Sequence, residues 1–252
     1  MIRIEKVLDK NELKNFVKFP FKLYKNSKYW VPPIIEQEIN NFDKDLNPNL
    51  KDSSVELFLA FQDKKIVGRI AVIINWYEVK KQKTNKIRFG WFDFIDNYDV
   101  SKKLLQKVIE IGKANKLDYM EGPMGFSNLD KVGVLTSGFD VIGTMITTYN
   151  YDYYKNHYEK HGLKVEKTFH EKTFMFKDID LDYYEKMSRI VKKRNNLKEV
   201  NFYSTSKVMD RANEMFDLFN QSYSKLSSFV KISDIQKEYM KKKFLSFINP
   251  EY

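Results

Sequence analysis

Two carboxylates stand where a carboxylate can do chemistry. Asp93 lies inside the aromatic run Phe89-Gly90-Trp91-Phe92-Asp93-Phe94, which reads as a strand. Burial disfavours the charged form of a carboxyl and raises its pKa, which suits a general base. Its plainer reading is a residue hydrogen-bonded to nearby backbone. Glu121 closes a short strand just before Gly122-Pro123 and admits the same two readings. His157 and His161 are four apart, on one face of a helix. That spacing suits a zinc pair, but no third ligand and no HExxH glutamate accompany it, so no metal is expected. Cysteine is absent, which excludes disulfides and thiolate metal sites. Ser127 and Ser137 lack Gly-x-Ser-x-Gly spacing, and no phosphate-loop or dinucleotide glycine pattern occurs.

These residues need elements to hold them. Ile2–Glu5 alternates as a short strand, and Asp9-Lys10-Asn11-Glu12 has capping-box spacing for a helix. Pro20 should kink or end that helix, with a short second one through Tyr24. A helical stretch follows near Ile34–Ile39, then a polar loop over 40–54. Val55–Phe61 and Ile66–Asn75 read as a hairpin, Lys80–Lys86 as a polar turn and Ile87–Ile95 as a third strand. Val100–Asn115 is helical, with Leu104, Leu105, Val108, Ile109 and Ile111 on its buried side and Asp99 as its N-cap. Leu117–Glu121 is a short strand. Five of the nine glycines punctuate the long loop from Gly122 to Gly143, whose Met124, Phe126, Leu129, Val132, Val134, Leu135 and Phe139 predict an ordered cleft wall or a packed loop. Asn150–His161 reads as a helix stopped by Gly162, and Leu163–Phe169 with Lys172–Phe176 as a terminal hairpin. Beyond it come a charged helix over Tyr183–Asn196, a strand at Val200–Tyr203, a helix from Ser206 to Gln221 and another from Ser233 to Phe247. The last three repeat the opening of the chain. Three segments follow: 1–178 as one domain, 179–198 as a helical linker, and 199–252 as the start of a second unit or a helical accessory.

The formal charge of +10 is spread along the chain, with +4 in residues 180–252. No basic stripe joins a nucleic-acid module, so nucleic acid is not expected as a partner. No run approaches the ~20 apolar residues of a membrane span. The N-terminus has no signal-peptide core, and a cytoplasmic location is expected. Met215, Phe216, Leu218 and Phe219 give the 206–247 helices an apolar face, which must pack on the first domain, on missing strands or on another subunit by self-association.

Tyr158-Glu159-Lys160-His161-Gly162-Leu163 resembles the Tyr-x-x-x-Gly-Phe segment of the GNAT superfamily of N-acyltransferases. Phe19-Pro20-Phe21-Lys22-Leu23-Tyr24, Tyr29-Trp30-Val31-Pro32-Pro33, Val67-Gly68-Arg69-Ile70, Arg88–Asp93, Glu121–Phe126 and Tyr149-Asn150-Tyr151 are similar to a bacterial group built from two such units. The resemblance implies a mixed α/β fold with a splayed mixed sheet flanked by helices, and a helical segment that opens a second unit. It implies acetyl-CoA or another acyl-CoA in the gap between Ile87–Ile95 and Leu117–Glu121. The pantetheine would lie beside Phe92, Phe94, Ile95 and Asn150, and the pyrophosphate on the helix start at Val100, Ser101, Lys102 and Lys103. Tyr158 would protonate the leaving thiolate, or else simply pack in the core. Asp93 and Glu121 would be the candidate bases, and a small-molecule or other amine would be the acceptor. The loop Asp96-Asn97-Tyr98-Asp99-Val100-Ser101 departs from the superfamily's Arg/Gln-x-x-Gly-x-Gly/Ala. It has no glycine, and its two carboxylates oppose an anion that Lys102 and Lys103 would favour. A non-catalytic ligand-binding or scaffold unit, and a paired-unit aminoacyl transferase using aminoacyl-tRNA, are the rival expectations.

Overall fold

The computed structural model describes every residue except 128, 129, 145, 227, 228, 246, 247 and 249–252. Leu129 of the long loop, the helix end expected at Phe247 and the chain end lie outside the described residues. The chain divides into two units, 1–163 with 216–239, and 164–215 with 240–252.

The first unit is built on a five-stranded sheet in the order β1-β2-β3-β4-β5. Strands β1 (Ile2–Lys6), β2 (Ser53–Gln62), β3 (Lys65–Asn75) and β4 (Lys86–Phe94) run antiparallel in sequence order. β5 (Tyr119–Glu121) is parallel to β4. A parallel neighbour needs a crossover, and helix α4 (Tyr98–Ala114) supplies it. Both sheet faces are covered. Leu104, Leu105 and Val108 of α4 meet Ile70, Val72, Phe89, Phe92 and Phe94 on one face, with Ile111 packed against them, whereas Ile109, expected on the same side, is 41% exposed. Phe16 and Val17 of α1 (Lys10–Leu23) meet Leu57, Leu59 and Ala71 on the other. Such double cover explains why β3 is buried almost end to end.

Local chemistry accounts for the helix ends. Asp9 caps α1 by accepting from Asn11 and Glu12 N–H, while Glu12 reaches back to Leu8 N–H at 2.6 Å. Pro20 does not end the helix and no separate second helix follows: the proline lies inside α1, which runs on to Leu23. Proline removes the N–H that would bond the carbonyl four residues back. That carbonyl, Phe16 O, accepts instead from Arg69 Nη1 at 2.9 Å. α2 (Ile35–Asn40) follows, and the expected turn after β3 opens with a short helix, α3 (Trp76–Lys80), capped by Asn75. The N-cap of α4 is Asn97, whose Oδ1 accepts from Asp99 N–H at 2.9 Å, and Asp99 sits in the first turn rather than capping it. Helix α5 (Tyr153–Lys160) ends at Gly162, whose φ of 74° a side chain would resist.

The terminal hairpin is not formed. Residues 163–176 carry no strand, and Val165 and Phe174 are 83% and 69% exposed. Two short strands without a packed face are not stable alone. Val200–Tyr203 likewise forms no ladder among the described residues and is irregular. The second unit holds α6 (Leu181–Arg194), capped by Asp180 and exposed along its length. α7 (Thr205–Tyr223) is capped by Ser204 rather than Ser206, the Ser204 hydroxyl accepting from Lys207 N–H. Its last turns and the first part of α8 (Asp234–Lys243) belong to the first unit. There Phe216, Phe229, Val230 and Ile232 are buried, Asn220 bonds both backbone groups of Ile232, and Gln82 donates to Phe229 O at 2.9 Å. Met215 and Leu218 of the expected apolar face remain exposed.

Candidate active site

The site forms where β4 and β5 part. Their ladder covers Lys86–Arg88 against Tyr119–Glu121, and one further bond runs from Met124 N–H to Phe89 O at 2.8 Å. Past Phe89 the fourth strand has no β5 partner. Gly90 and Gly122 make this crossing possible. A Cβ on Gly90 would lie 2.2 Å from Met124 O, and one on Gly122 would lie 2.3 Å from Phe89 O. Next, Trp91 takes a φ of 44°, and the β3–β4 register shifts between Arg69 and Ala71. A bulge re-aims the side chains that follow it. Phe92 and Phe94 thereby stay on the α4 face with Phe89, while Asp93 joins residues of α1 and β3.

Asp93 is the hub of a buried network. Its Oδ2 accepts from Arg69 Nε and Nη2, each at 2.7 Å, and its Oδ1 accepts from the Tyr24 hydroxyl at 2.9 Å. The Tyr24 and Tyr154 hydroxyls are 2.9 Å apart, and Tyr154 accepts from Phe94 N–H at 3.1 Å. Burial first, and the Asp93 charge second, push both tyrosine pKa values well up, so both phenols keep their protons. Sequence reasoning picked out Asp93 but not Arg69, Tyr24 or Tyr154. The signals were present: an arginine inside the apolar run of β3, and a proline that orphans Phe16 O.

Tyr158 projects from α5 against Phe89 and Phe92, with ring centroids 6.5 and 5.8 Å away. It is 9% exposed, and its hydroxyl has no hydrogen-bond partner among the described residues. Burial, then the Asp93 charge, raise its pKa well above the usual tyrosine value. A buried donor without a partner costs stability and asks for a role. The atom is a hydrogen-bond donor beside the part of β4 that β5 has left. That fits the sulfur end of an acyl thioester.

The start of α4 does not fit a pyrophosphate. Ser101 is 0% exposed, and its Oγ lies 2.8 Å from His157 Nδ1 and 2.8 Å from His161 Nε2. His157 Nε2 meets Asp96 Oδ1 at 3.0 Å. The Tyr98 ring stacks on His161 at 4.5 Å, and Lys160 Nζ sits 4.1 Å over Tyr98. Burial, then His157, Lys102 and Lys160, lower the His161 pKa. Two helix-start N–H groups are engaged as well: Asp99 N–H goes to Asn97 Oδ1 and Val100 N–H to Asn97 O. The histidine pair therefore acts as a clasp between two helices. Among the described residues no three His, Asp or Glu side chains are grouped to hold a metal.

The other expected residues are placed as follows. Val100 is core, Lys102 is exposed, and Lys103 Nζ donates to Ile2 O at 2.7 Å. Both backbone groups of Phe94 are taken by tyrosines, its carbonyl by the Tyr153 hydroxyl at 2.5 Å. Ile95 donates its N–H to Val67 O and packs against the core. Asn150 clamps the long loop, accepting from Leu135 N–H at 2.7 Å and donating to Leu135 O and Tyr151 O. Glu121 belongs to a second buried charge group: Lys86 Nζ lies 2.6 Å from Glu121 Oε2 and 3.1 Å from Glu78 Oε1, and Arg88 binds both Glu78 oxygens.

No protein-family model matches the chain. It is 27% identical over 155 residues to Protein YghO of Escherichia coli (strain K12), which covers 62% of this chain and 40% of that protein. It is 29% identical over 132 residues to the bacterial ceramide synthase of Caulobacter vibrioides, covering 51% and 34%. The matched part thus spans well under half the length of either relative. Among solved structures, it is similar to a tandem GNAT protein from the clavulanic acid biosynthesis pathway, with 8% identity, a TM-score of 0.44, and coverage of 64% of this chain and 43% of that one. It is also similar to a predicted acetyltransferase with acetyl-CoA from Clostridium acetobutylicum, at 13% identity, TM-score 0.41, and 69% and 96% coverage. A GNAT-family acetyltransferase from Staphylococcus aureus gives 19% identity, TM-score 0.35, and 50% and 75% coverage.

Proposed function

We propose that the first unit transfers an acyl group from a thioester to an amine. The buried hydroxyl of Tyr158, without a hydrogen-bond partner among the described residues and beside the parted end of β4, carries this reading. As the amine nitrogen attacks the thioester carbonyl, a C–N bond forms, the C–S bond breaks, and Tyr158 supplies the proton the sulfur needs. The proton lost by the amine restores the phenol. A positioned acid of this kind contributes about 10²–10⁴-fold. Asp93 has both oxygens engaged, so its part is to tie β3, β4, α1 and α5 together and hold Tyr158 in place. The relative described as a bacterial ceramide synthase supports the reading, because making a ceramide is acylating an amine. It also points to a long-chain amine as acceptor. The test is mass spectrometry of protein incubated with an acyl thioester and a panel of amines. An amide product supports the proposal, and its absence with every amine counts against it.

A second reading is a scaffold unit that turns nothing over. It is favoured by the engagement of Asp93 and Glu121 in ion pairs, which leaves neither free as a base.

A further inference from the structure

The closed end of α4 bears on which thioester is used. A helix start is an anion seat only while its N–H groups are free and its surroundings are positive. Here two of those N–H groups, of Asp99 and Val100, are turned onto Asn97, and the Ser101 hydroxyl is buried under His157 and His161. Asp99 adds a carboxylate to the first turn, and the Asp96 carboxylate lies against His157 beside it. A pyrophosphate entering this seat would have to break the clasp and meet two like charges. The seat therefore opposes a pyrophosphate, whereas the Tyr158 hydroxyl, which has no hydrogen-bond partner among the described residues, still offers the thioester end a donor. The two ends of an acyl-CoA make opposite demands on this unit, and the unit meets only one.

We propose, on the acyl-transfer reading above, that the acyl donor is a pantetheine arm without the nucleotide half: an acyl thioester on the phosphopantetheine of a small acidic carrier protein. The arm delivers the same thioester to Tyr158 and has no pyrophosphate to seat. The chain's formal charge of +10 complements an acidic carrier and gives the encounter a salt-dependent attraction. The group-transfer chemistry is unchanged: the C–N bond forms, the C–S bond breaks, and the carrier's thiol leaves with the proton from Tyr158.

Calorimetric titration of the full chain tests this with four probes: pantetheine, coenzyme A, adenosine 3′,5′-bisphosphate and a phosphopantetheine-bearing carrier protein. We expect coenzyme A and pantetheine to bind within about threefold of each other and the bisphosphate not to bind. The carrier should bind at least about tenfold tighter than pantetheine, with that margin shrinking as salt rises from 0.05 to 0.5 M. Coenzyme A binding tenfold or more tighter than pantetheine would overturn the inference and leave acyl transfer standing. A carrier no tighter than pantetheine would also overturn it. If none of the pantetheine probes bound, the acyl-transfer reading itself would fall, and this inference with it.

Discussion

A phenol buried without a partner carries a desolvation cost of about 1–3 kcal/mol. Tyr158 bears that cost among Phe89 and Phe92, where a phenylalanine would bear none. Tyr158→Phe should therefore stabilise the protein by about 1 kcal/mol in urea unfolding. A loss of stability would mean that the hydroxyl is bonded after all. The Arg69–Asp93 pair behaves oppositely. Truncating one partner of a buried ion pair leaves the other charge exposed to a low dielectric, at a cost of about 3–5 kcal/mol. Arg69→Met should show such a loss, and the double change with Asp93→Asn a smaller one, because no charge is then stranded. Equal losses would deny the coupling. Tyr158 was legible from its place in Tyr-x-x-x-Gly-Leu. That its hydroxyl lacks a partner among the described residues was not, since partners come from tertiary packing. Asp93 was legible as an odd carboxylate among aromatics, yet its engagement with Arg69 and Tyr24 depends on contacts 24 and 69 residues away along the chain.

At the scale of elements, the parting of β4 from β5 rests on backbone closeness at two glycines. Gly90→Ala would set a methyl against Met124 O, with no flexible atom to yield. A loss of about 1–3 kcal/mol is expected, as for other overpacked sites. Thermal unfolding unchanged by this substitution would show that the two segments are not in register as described. The α4–α5 clasp makes stability depend on pH. The folded His161 pKa lies below its unfolded value, chiefly through burial. The unfolded chain therefore takes up the proton first. Stability should be fully present above about pH 6.5 and decline as the pH falls below it toward the folded pKa. The drop in Tm between pH 7.5 and 5.5 should be smaller in His161→Gln, and an equal drop would remove His161 from the account. Strands β1 to β5 and helices α1, α4 and α5 were legible because alternation and the 3.6-residue stripe report burial directly. The hairpin expected at 163–176 was not formed, because an alternating pattern needs a surface to pair with. The bulge at Trp91 left no signal, since tryptophan at positive φ is not a propensity of the residue.

For the whole molecule, composition excluded disulfides and pointed away from nucleic acid. Among the described residues no helix is long and apolar enough to cross a membrane. The sequence left open whether the C-terminal helices pack on the first domain, and that residues 216–239 group with the first unit depends on which apolar faces find one another. The central claim is that Tyr158 delivers a proton to a leaving thiolate. It is tested most directly by the rate of thiol release from an acyl-pantetheine thioester, with and without the amine found to yield an amide, in the unmodified chain and in Tyr158→Phe. We predict release that requires the amine, and a kcat at least about 100-fold lower in the variant with KM little changed. Equal kcat in the two proteins, with the variant folded, would contradict it.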